Sequence, residues 1–109
     1  MKVYNKQIKN NIFSFGLKGN LNINVVNDFK VLCETYLIES HLKKIEAFEI
    51  DFSKVDKFDS AGFQLLVSIN ETIKNLGICF KVVNVSSEAM KLFDLYNENS
   101  FIKNSLAGD

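Results

Sequence analysis

The sequence predicts an α/β fold in which a small mixed β-sheet of about four strands is flanked by three or more helices. Short segments with apolar residues at every second position alternate with longer segments whose apolar residues recur at helical spacing. The 109 residues suit one domain, 1–109, which can bury a core without disulfides or metal. The predicted element order is β-β-α-β-α-β-α, and helices in right-handed crossovers should cover one or both faces of the sheet.

The chain opens with a predicted hairpin. A first strand around residues 2–8 is followed by Asn10 and Asn11, which favour a tight turn. The segment after the turn alternates apolar with polar or small residues, as a half-buried strand does. Its apolar residues are Phe13, Phe15 and Leu17.

The first predicted helix spans about residues 24–40. Its apolar residues recur at helical spacing, and Asn22 or Asn24 could supply the N-cap. A strand over residues 47–52 follows, because apolar residues alternate there with acidic ones. Together with the second strand of the hairpin, these segments make a strand-helix-strand unit.

The second half of the chain is predicted to add two helices and one strand. Helical spacing indicates a helix over 60–76 that ends at Gly77, and residues 78–85 are apolar enough for a strand buried on both faces. A third helix is expected over about residues 87–97. The predicted core residues of these elements are Phe48, Ile50, Leu66, Ile69, Ile73, Val82, Leu92 and Phe93.

The charge balance limits the class of partner. Thirteen basic and thirteen acidic side chains cancel, and no block of lysine or arginine stands out. The basic patch expected of a protein that binds nucleic acid or an anionic membrane is therefore missing. We expect a protein partner and no nucleic acid, and the sequence predicts no particular oligomeric state.

The cysteines and the N-terminus indicate the compartment. Cys33 and Cys79 lie far apart in sequence within apolar patterns, so we expect buried, reduced thiols. The N-terminal segment has no apolar core of signal-peptide length, and no later apolar run is long enough to span a bilayer. These features predict a cytoplasmic protein without membrane insertion.

The most informative segment is the junction between the 47–52 strand and the 60–76 helix. The sequence Asp59, Ser60, Ala61, Gly62 forms a turn there that displays a serine at the N-terminus of the helix. Aspartate and serine are both preferred N-caps, so either could satisfy the free amides of the first turn. Helix capping is thus the ordinary structural explanation of this motif.

No catalytic or metal site is predicted. Asp51, Asp56 and Asp59 cluster in sequence, but no further ligand is positioned by the spacing, so solvated carboxylates are the better interpretation. His41 is expected at a helix end. A hydrolase elbow is excluded because Phe58 stands where its first glycine is needed. The glycine-rich loops that bind phosphate, of the Walker type or the dinucleotide type, are also missing. We therefore expect a protein that is not an enzyme and binds no cofactor.

Residues 51–63, together with the amphipathic helix that follows, Gly77, the next strand and residues 85–93, resemble the STAS domain. This is the family of anti-sigma-factor antagonists and related regulators. The resemblance is dense over residues 46–97. It is thinner before them, where residues 17–22 lie at the position of a glycine-containing turn in the family. The resemblance implies a STAS-like fold over nearly the whole chain.

The resemblance also implies a switch. In the family, a cognate anti-sigma-factor kinase phosphorylates the serine of this turn, and the unphosphorylated form binds that kinase and frees the sigma factor. By match to the motif, Ser60 is the implied phosphorylation site. Asp59 would position the loop, and Gly62 would let the partner or a phosphate approach closely. A phosphatase would restore the unmodified form.

The partner-binding residues implied by the resemblance are Asn20, Asn22, Asp59, Ser60, Ala61, Gly62 and Phe63. A core role for Phe63 is an equal alternative. Family members often carry an acidic residue in the first turn, where this chain has the two asparagines, and such loop charges select partners. Two other functions stay open: a structural STAS subunit of a lipid-transport or stress-signalling assembly, with an unmodified serine, and a small-molecule-binding regulatory module.

Overall fold

The structure is a computed structural model that describes residues 1–42, 44–85 and 87–95. The element order is β-β-α-β-α-β-α, which confirms the predicted fold class. The elements are β1 (Lys2–Lys9), β2 (Ile12–Leu21), α1 (Val26–Leu42), β3 (Ala47–Phe58), α2 (Ser60–Asn75), β4 (Cys79–Val83) and α3 (Ser87–Leu95).

The four strands form one mixed sheet in the order β1-β2-β3-β4. β1 pairs antiparallel with β2, and β2, β3 and β4 run parallel. The predicted turn between the first two strands is confirmed, because Asn10 and Asn11 have φ angles of 52° and 63°. Asparagine tolerates this left-handed conformation, which a two-residue hairpin turn requires.

The described helices cover one face of the sheet. In β2, Phe13, Phe15 and Leu17 are buried, and the rings of the first two contact Tyr36 of α1. The residues that alternate with buried ones on the parallel strands, among them Ser14, Glu49, Asp51 and Lys81, are half-buried. The opposite face of the sheet is therefore left open by the described helices.

This one-sided packing corrects two expectations for the last strand. The predicted strand over 78–85, buried on both faces, is a strand from Cys79 to Val83 with one buried face, formed by Phe80 and Val82. Cys79 is exposed, whereas Cys33 is buried as expected. An apolar run alone does not reveal that only one face receives helices.

β3 is twice as long as predicted and determines where the functional loop lies. The sequence predicts it over 47–52, but it continues to Phe58 because β2 offers a partner along nearly its full length. The last register pair joins Leu21 to Phe58, so the two strands end side by side. The turns that follow β2 and β3 consequently meet at one edge of the sheet.

The predicted core is confirmed for the described side chains. Phe48, Ile50, Leu66, Ile69, Ile73, Val82 and Phe93 are all buried. α1 runs two residues later than expected, and Gly77, with a φ of 75°, follows the end of α2 as predicted. The side chains of Leu92 and His41 and the predicted end of the third helix lie outside what the structure describes. Within the described part of the chain, no helix is both long and apolar enough to cross a membrane.

Candidate functional site

Asp59 occupies the junction between β3 and α2 and caps the helix. Its backbone is extended, and its Oδ1 accepts a hydrogen bond from the Gly62 amide at 3.0 Å. Its own amide donates to the carbonyl of Leu21 at 3.3 Å, which ties the junction to the end of β2. Of the two capping candidates in the sequence, the structure therefore selects Asp59.

The same carboxylate joins a second loop. Asp59 Oδ2 accepts a hydrogen bond from the backbone amide of Ile23, at 3.2 Å, in the turn between β2 and α1. The bond from the Gly62 amide is the main reason that the pKa of Asp59 is lowered, and the Ile23 and Ala61 amides lower it further against partial desolvation. The carboxylate is thus stabilised in its charged form while it links two loops.

Ser60 is the first residue of α2, and its side chain is exposed. Because Asp59 performs the capping, the Ser60 hydroxyl is not needed for it, and no hydrogen bond to that hydroxyl occurs among the residues that the structure describes. Amides at a helix N-terminus and the positive end of the helix dipole favour an anion at this position. The hydroxyl is accessible and sits where a phosphate can be accommodated.

Gly62 makes room for a close contact within the chain. It is buried, and a Cβ atom at this position would lie 2.5 Å from the carbonyl oxygen of Leu21. The missing side chain therefore allows α2 to approach the chain's own β2. This contact lies within the chain, and the expectation that Gly62 also lets a partner's backbone or a phosphate approach stays a prediction.

Phe63 lies in the core. Its side chain is 2% exposed, and its ring packs edge-on against Phe93 of α3, with centroids 5.3 Å apart. Of the two roles considered for Phe63, the structure favours packing, and the direct partner contact is corrected. Burial of an aromatic ring just after the loop anchors the first turn of α2 to the body of the protein.

The two asparagines of the first turn behave differently from each other. Asn20 is exposed, whereas Asn22 is half-buried, accepts the Asn24 amide on its Oδ1 at 3.0 Å and accepts the Val25 and Val26 amides on its carbonyl. Asn22 therefore shapes the turn that leads into α1. The structure brings this turn and the Ser60 loop together, and the bond from Ile23 to Asp59 joins them.

Ile23 is the residue of this site that the sequence patterns did not single out. It belongs to no helix or strand, and its side chain is 69% exposed. The available signal was an apolar residue flanked by asparagines in a segment without periodicity. Its amide hydrogen bond to a residue 36 positions away could not be read from that signal.

The other acidic candidates do not converge. Asp51 Oδ1 accepts the Ser53 amide at 2.8 Å within β3, and Asp56 is exposed. Across residues 1–42, 44–85 and 87–95, no group of three or more potential metal ligands is found. A cavity of about 220 Å³ lies on the open face of the sheet, and none of the residues that line it belongs to the Ser60 loop.

Several solved structures share this fold. A sulfate transporter family protein from Wolinella succinogenes has a TM-score of 0.74 at 15% identity, over 92% of this chain and 79% of that chain. The Bacillus cell fate determinant SpoIIAA in its phosphorylated form has a TM-score of 0.66 at 14% identity, over 88% and 84%. The anti-sigma factor antagonist SpoIIAA in its unphosphorylated form has a TM-score of 0.64 at 16% identity, over 83% and 79%.

These identities are too low to transfer a function, and they support the fold alone. No curated protein is significantly similar to this chain. The family assignment comes from the family model of the STAS domain, which matches residues 4–107. Because that match spans nearly the whole chain, including both loops of the site, the protein belongs to the STAS domain family.

Proposed function

We propose that the protein is an anti-sigma-factor antagonist that binds a cognate anti-sigma-factor serine kinase and is switched off by phosphorylation of Ser60. The observation that carries this proposal is the division of labour at the start of α2. Asp59 caps the helix, and the exposed Ser60 hydroxyl next to it takes no part in capping. A serine that is exposed and structurally dispensable can be modified without loss of the fold.

The comparisons support the proposal at the level of the fold. SpoIIAA, an anti-sigma factor antagonist, has a similar structure in both an unphosphorylated and a phosphorylated form. A fold of this type is therefore compatible with both states. In this chain the proposal places the protein in the cytoplasm, assigns it no catalysis of its own, and requires a phosphatase to restore the unmodified form.

Charge explains how the switch would act. A phosphate on Ser60 adds about 1.5 to 2 negative charges at pH 7, which the helix N-terminus tolerates. At an interface the same dianion must be desolvated, and it lies beside the carboxylate of Asp59. Unless the partner supplies cations, the penalty reaches several kcal/mol, enough to weaken binding by orders of magnitude.

The first experiment tests modification. The purified chain is incubated with anti-sigma-factor kinases of the same organism and ATP, and the intact mass is measured. We expect one phosphoryl adduct, which is lost in Ser60→Ala. The matched control Ser68→Ala removes another exposed serine of α2 and should keep the adduct. An adduct that persists in Ser60→Ala would place the modification elsewhere.

The second experiment tests the switch itself. Ser60→Asp should retain the circular-dichroism spectrum of the unmodified protein and lose the kinase in calorimetric titration, whereas Ser60→Ala should bind it. One carboxylate imitates only part of the phosphate charge, so the enzymatically phosphorylated protein is titrated in parallel. Equal affinity of the phosphorylated and unmodified forms would contradict the charge-switch mechanism.

The second candidate function is that of a structural STAS subunit with an unmodified serine, in a lipid-transport or stress-signalling assembly. The similarity to a sulfate transporter family protein supports this candidate, since that protein has the same fold. In this role the loops joined by Asp59 would be a constant interface. Co-purification with a transporter ATPase, with Ser60 unmodified and Ser60→Ala fully active in the cell, would favour this candidate.

A further inference from the structure

The turn between β2 and α1 presents an isoleucine to solvent beside the Ser60 loop. Ile23 is 69% exposed, between Asn22 and Asn24. Single apolar side chains are common on protein surfaces, and exposure alone indicates no function. Ile38 illustrates this, because it is 64% exposed on α1.

The backbone of Ile23 is held on both sides. Its own amide donates to Asp59 Oδ2 at 3.2 Å, and the neighbouring Asn24 amide donates to Asn22 Oδ1 at 3.0 Å. The carbonyl of Asn22 accepts hydrogen bonds from the amides of Val25 and Val26, at 3.0 and 3.1 Å. An exposed side chain on a backbone fixed in this way can enter a partner's pocket with little further loss of backbone entropy.

The same carboxylate couples Ile23 to the start of α2. Asp59 Oδ1 accepts the Gly62 amide, so the two oxygens of one side chain hold the turn of Ile23 and the helix that begins at Ser60. The exposed residues Asn20, Asp59 and Ser60 near these two turns are polar, and Asp59 is charged. An apolar centre with a polar surround is the usual arrangement of a protein–protein interface.

We infer that Ile23 is the apolar anchor of the kinase interface and inserts into an aliphatic pocket on the anti-sigma-factor kinase. The inference rests on the proposed function and adds the residue that supplies apolar contact. Asp59 acts as a positioning residue, because it fixes the turn from which the isoleucine projects. Phosphorylation of Ser60 would then place its charge next to the anchor as well as next to the carboxylate.

The test compares Ile23→Ala with the matched control Ile38→Ala. Calorimetry is done with the full chain and a purified kinase, chosen as the anti-sigma-factor kinase of the same organism that binds the unmodified protein. Ile23→Ala should weaken binding by about tenfold to fiftyfold, since about three carbons lose burial, and Ile38→Ala should change it less than about twofold. Both side chains are exposed, so both variants should keep the wild-type urea midpoint.

Two further variants separate apolar contact from shape. Ile23→Met keeps an apolar side chain of similar volume and should retain most of the affinity, whereas Ile23→Asn should bind at least as weakly as Ile23→Ala. A kinase that binds wild type and Ile23→Ala equally overturns the anchor and leaves the Ser60 switch intact. Failure of every anti-sigma-factor kinase to bind the wild type overturns the proposed function, and the anchor with it.

Discussion

Asp59 shows how one side chain can define a site at the scale of a single residue. Its two carboxylate oxygens accept amides from the helix that begins at Ser60 and from the turn that contains Ile23. Capping by Asp59 also leaves the hydroxyl of Ser60 exposed at the helix N-terminus. The residue that matters for the geometry is thus the neighbour of the residue proposed to carry the modification.

The lowered pKa of Asp59 predicts a pH-dependent contribution to stability. A carboxylate whose pKa is lower in the folded than in the unfolded chain stabilises the fold above its unfolded pKa. That stabilisation is lost as pH falls through the folded pKa, which lies below the ordinary value of 3.8. Wild type should therefore exceed Asp59→Asn in urea midpoint at pH 7, and the difference should shrink as the pH is lowered below about 4.

The measurement is urea denaturation followed by circular dichroism at pH 7 and at acid pH. Asp56→Asn is the control, because Asp56 is exposed and should change the midpoint little at pH 7. The two carboxylate oxygens of Asp59 accept hydrogen bonds from the Ile23 and Gly62 amides. Asp59→Asn should lower the midpoint because its side chain has one acceptor oxygen and can keep only one of these bonds. A difference between wild type and Asp59→Asn that is the same at both pH values would contradict the role of the ionised carboxylate.

A second prediction at this scale concerns Gly62. Gly62→Ala places a Cβ 2.5 Å from a backbone carbonyl of β2, which cannot move aside alone. We expect a loss of about 1–3 kcal/mol in the free energy of unfolding, even though alanine is the better helix former. Gly16→Ala is the control, since its Cβ would meet the outer ring atoms of Tyr4 on β1, at the edge of the described sheet, where a side chain can swing away.

The smaller loss is expected for Gly16→Ala in a urea titration. A loss well below about 1 kcal/mol for Gly62→Ala would mean that helix α2 can shift away from β2 at little cost. The close approach of α2 to Leu21 would then not be what keeps the Ser60 loop next to the turn between β2 and α1.

At the scale of elements, the site depends on β3 being paired with β2 over nearly its full length. The pairing continues through Asn20 and Lys57 to Leu21 and Phe58, with two irregularities in register. α2 then starts at once and packs Leu66, Ile69 and Ile73 into the core. Strand length therefore decides where the helix begins, and the core contacts of the helix hold it there.

The contribution of α2 packing can be measured with two isoleucines of opposite burial. Ile69→Ala removes a side chain that is 5% exposed and should lower the free energy of unfolding by about 2–5 kcal/mol through lost transfer energy and a cavity. Ile38→Ala removes one that is 64% exposed on α1 and should cost less than about 1 kcal/mol. A loss below about 1 kcal/mol for Ile69→Ala in denaturant titration would show that α2 is not packed as described.

At the scale of the whole molecule, the described helices lie on one face of the sheet and the other face is left half-buried. The two cysteines differ in burial accordingly. Cys33 on α1 is 2% exposed, and burial raises the pKa of its thiol, whereas Cys79 at the start of β4 is exposed. One thiol thus belongs to the core and the other to the surface.

Thiol titration with a chromogenic disulfide reagent should therefore be biphasic. In the native protein we expect Cys79 to react within minutes and Cys33 only at the rate of unfolding, because its thiol is both inaccessible and protonated. Both should react at once in denaturant. Cys79→Ser removes the fast phase as a control, and a fast native phase in that variant would contradict burial of Cys33.

Local patterns in the sequence determined the type and order of the elements, the asparagine turn, the helix stop at Gly77 and the serine motif. Each of these depends on neighbours within a few positions, which is why periodicity and turn chemistry suffice to predict them. The STAS resemblance also came from a continuous motif and its neighbouring elements.

Only the tertiary structure decided the length of β3, the burial of Gly62 and Phe63, the exposure of Cys79 and the hydrogen bond from Ile23 to Asp59. These features depend on which strand lies alongside and which face of the sheet receives helices, and both are contacts between residues distant in sequence. A glycine or an isoleucine in a loop has the same local pattern whether it meets solvent or another segment of the chain, so its role is determined by packing that periodicity does not encode.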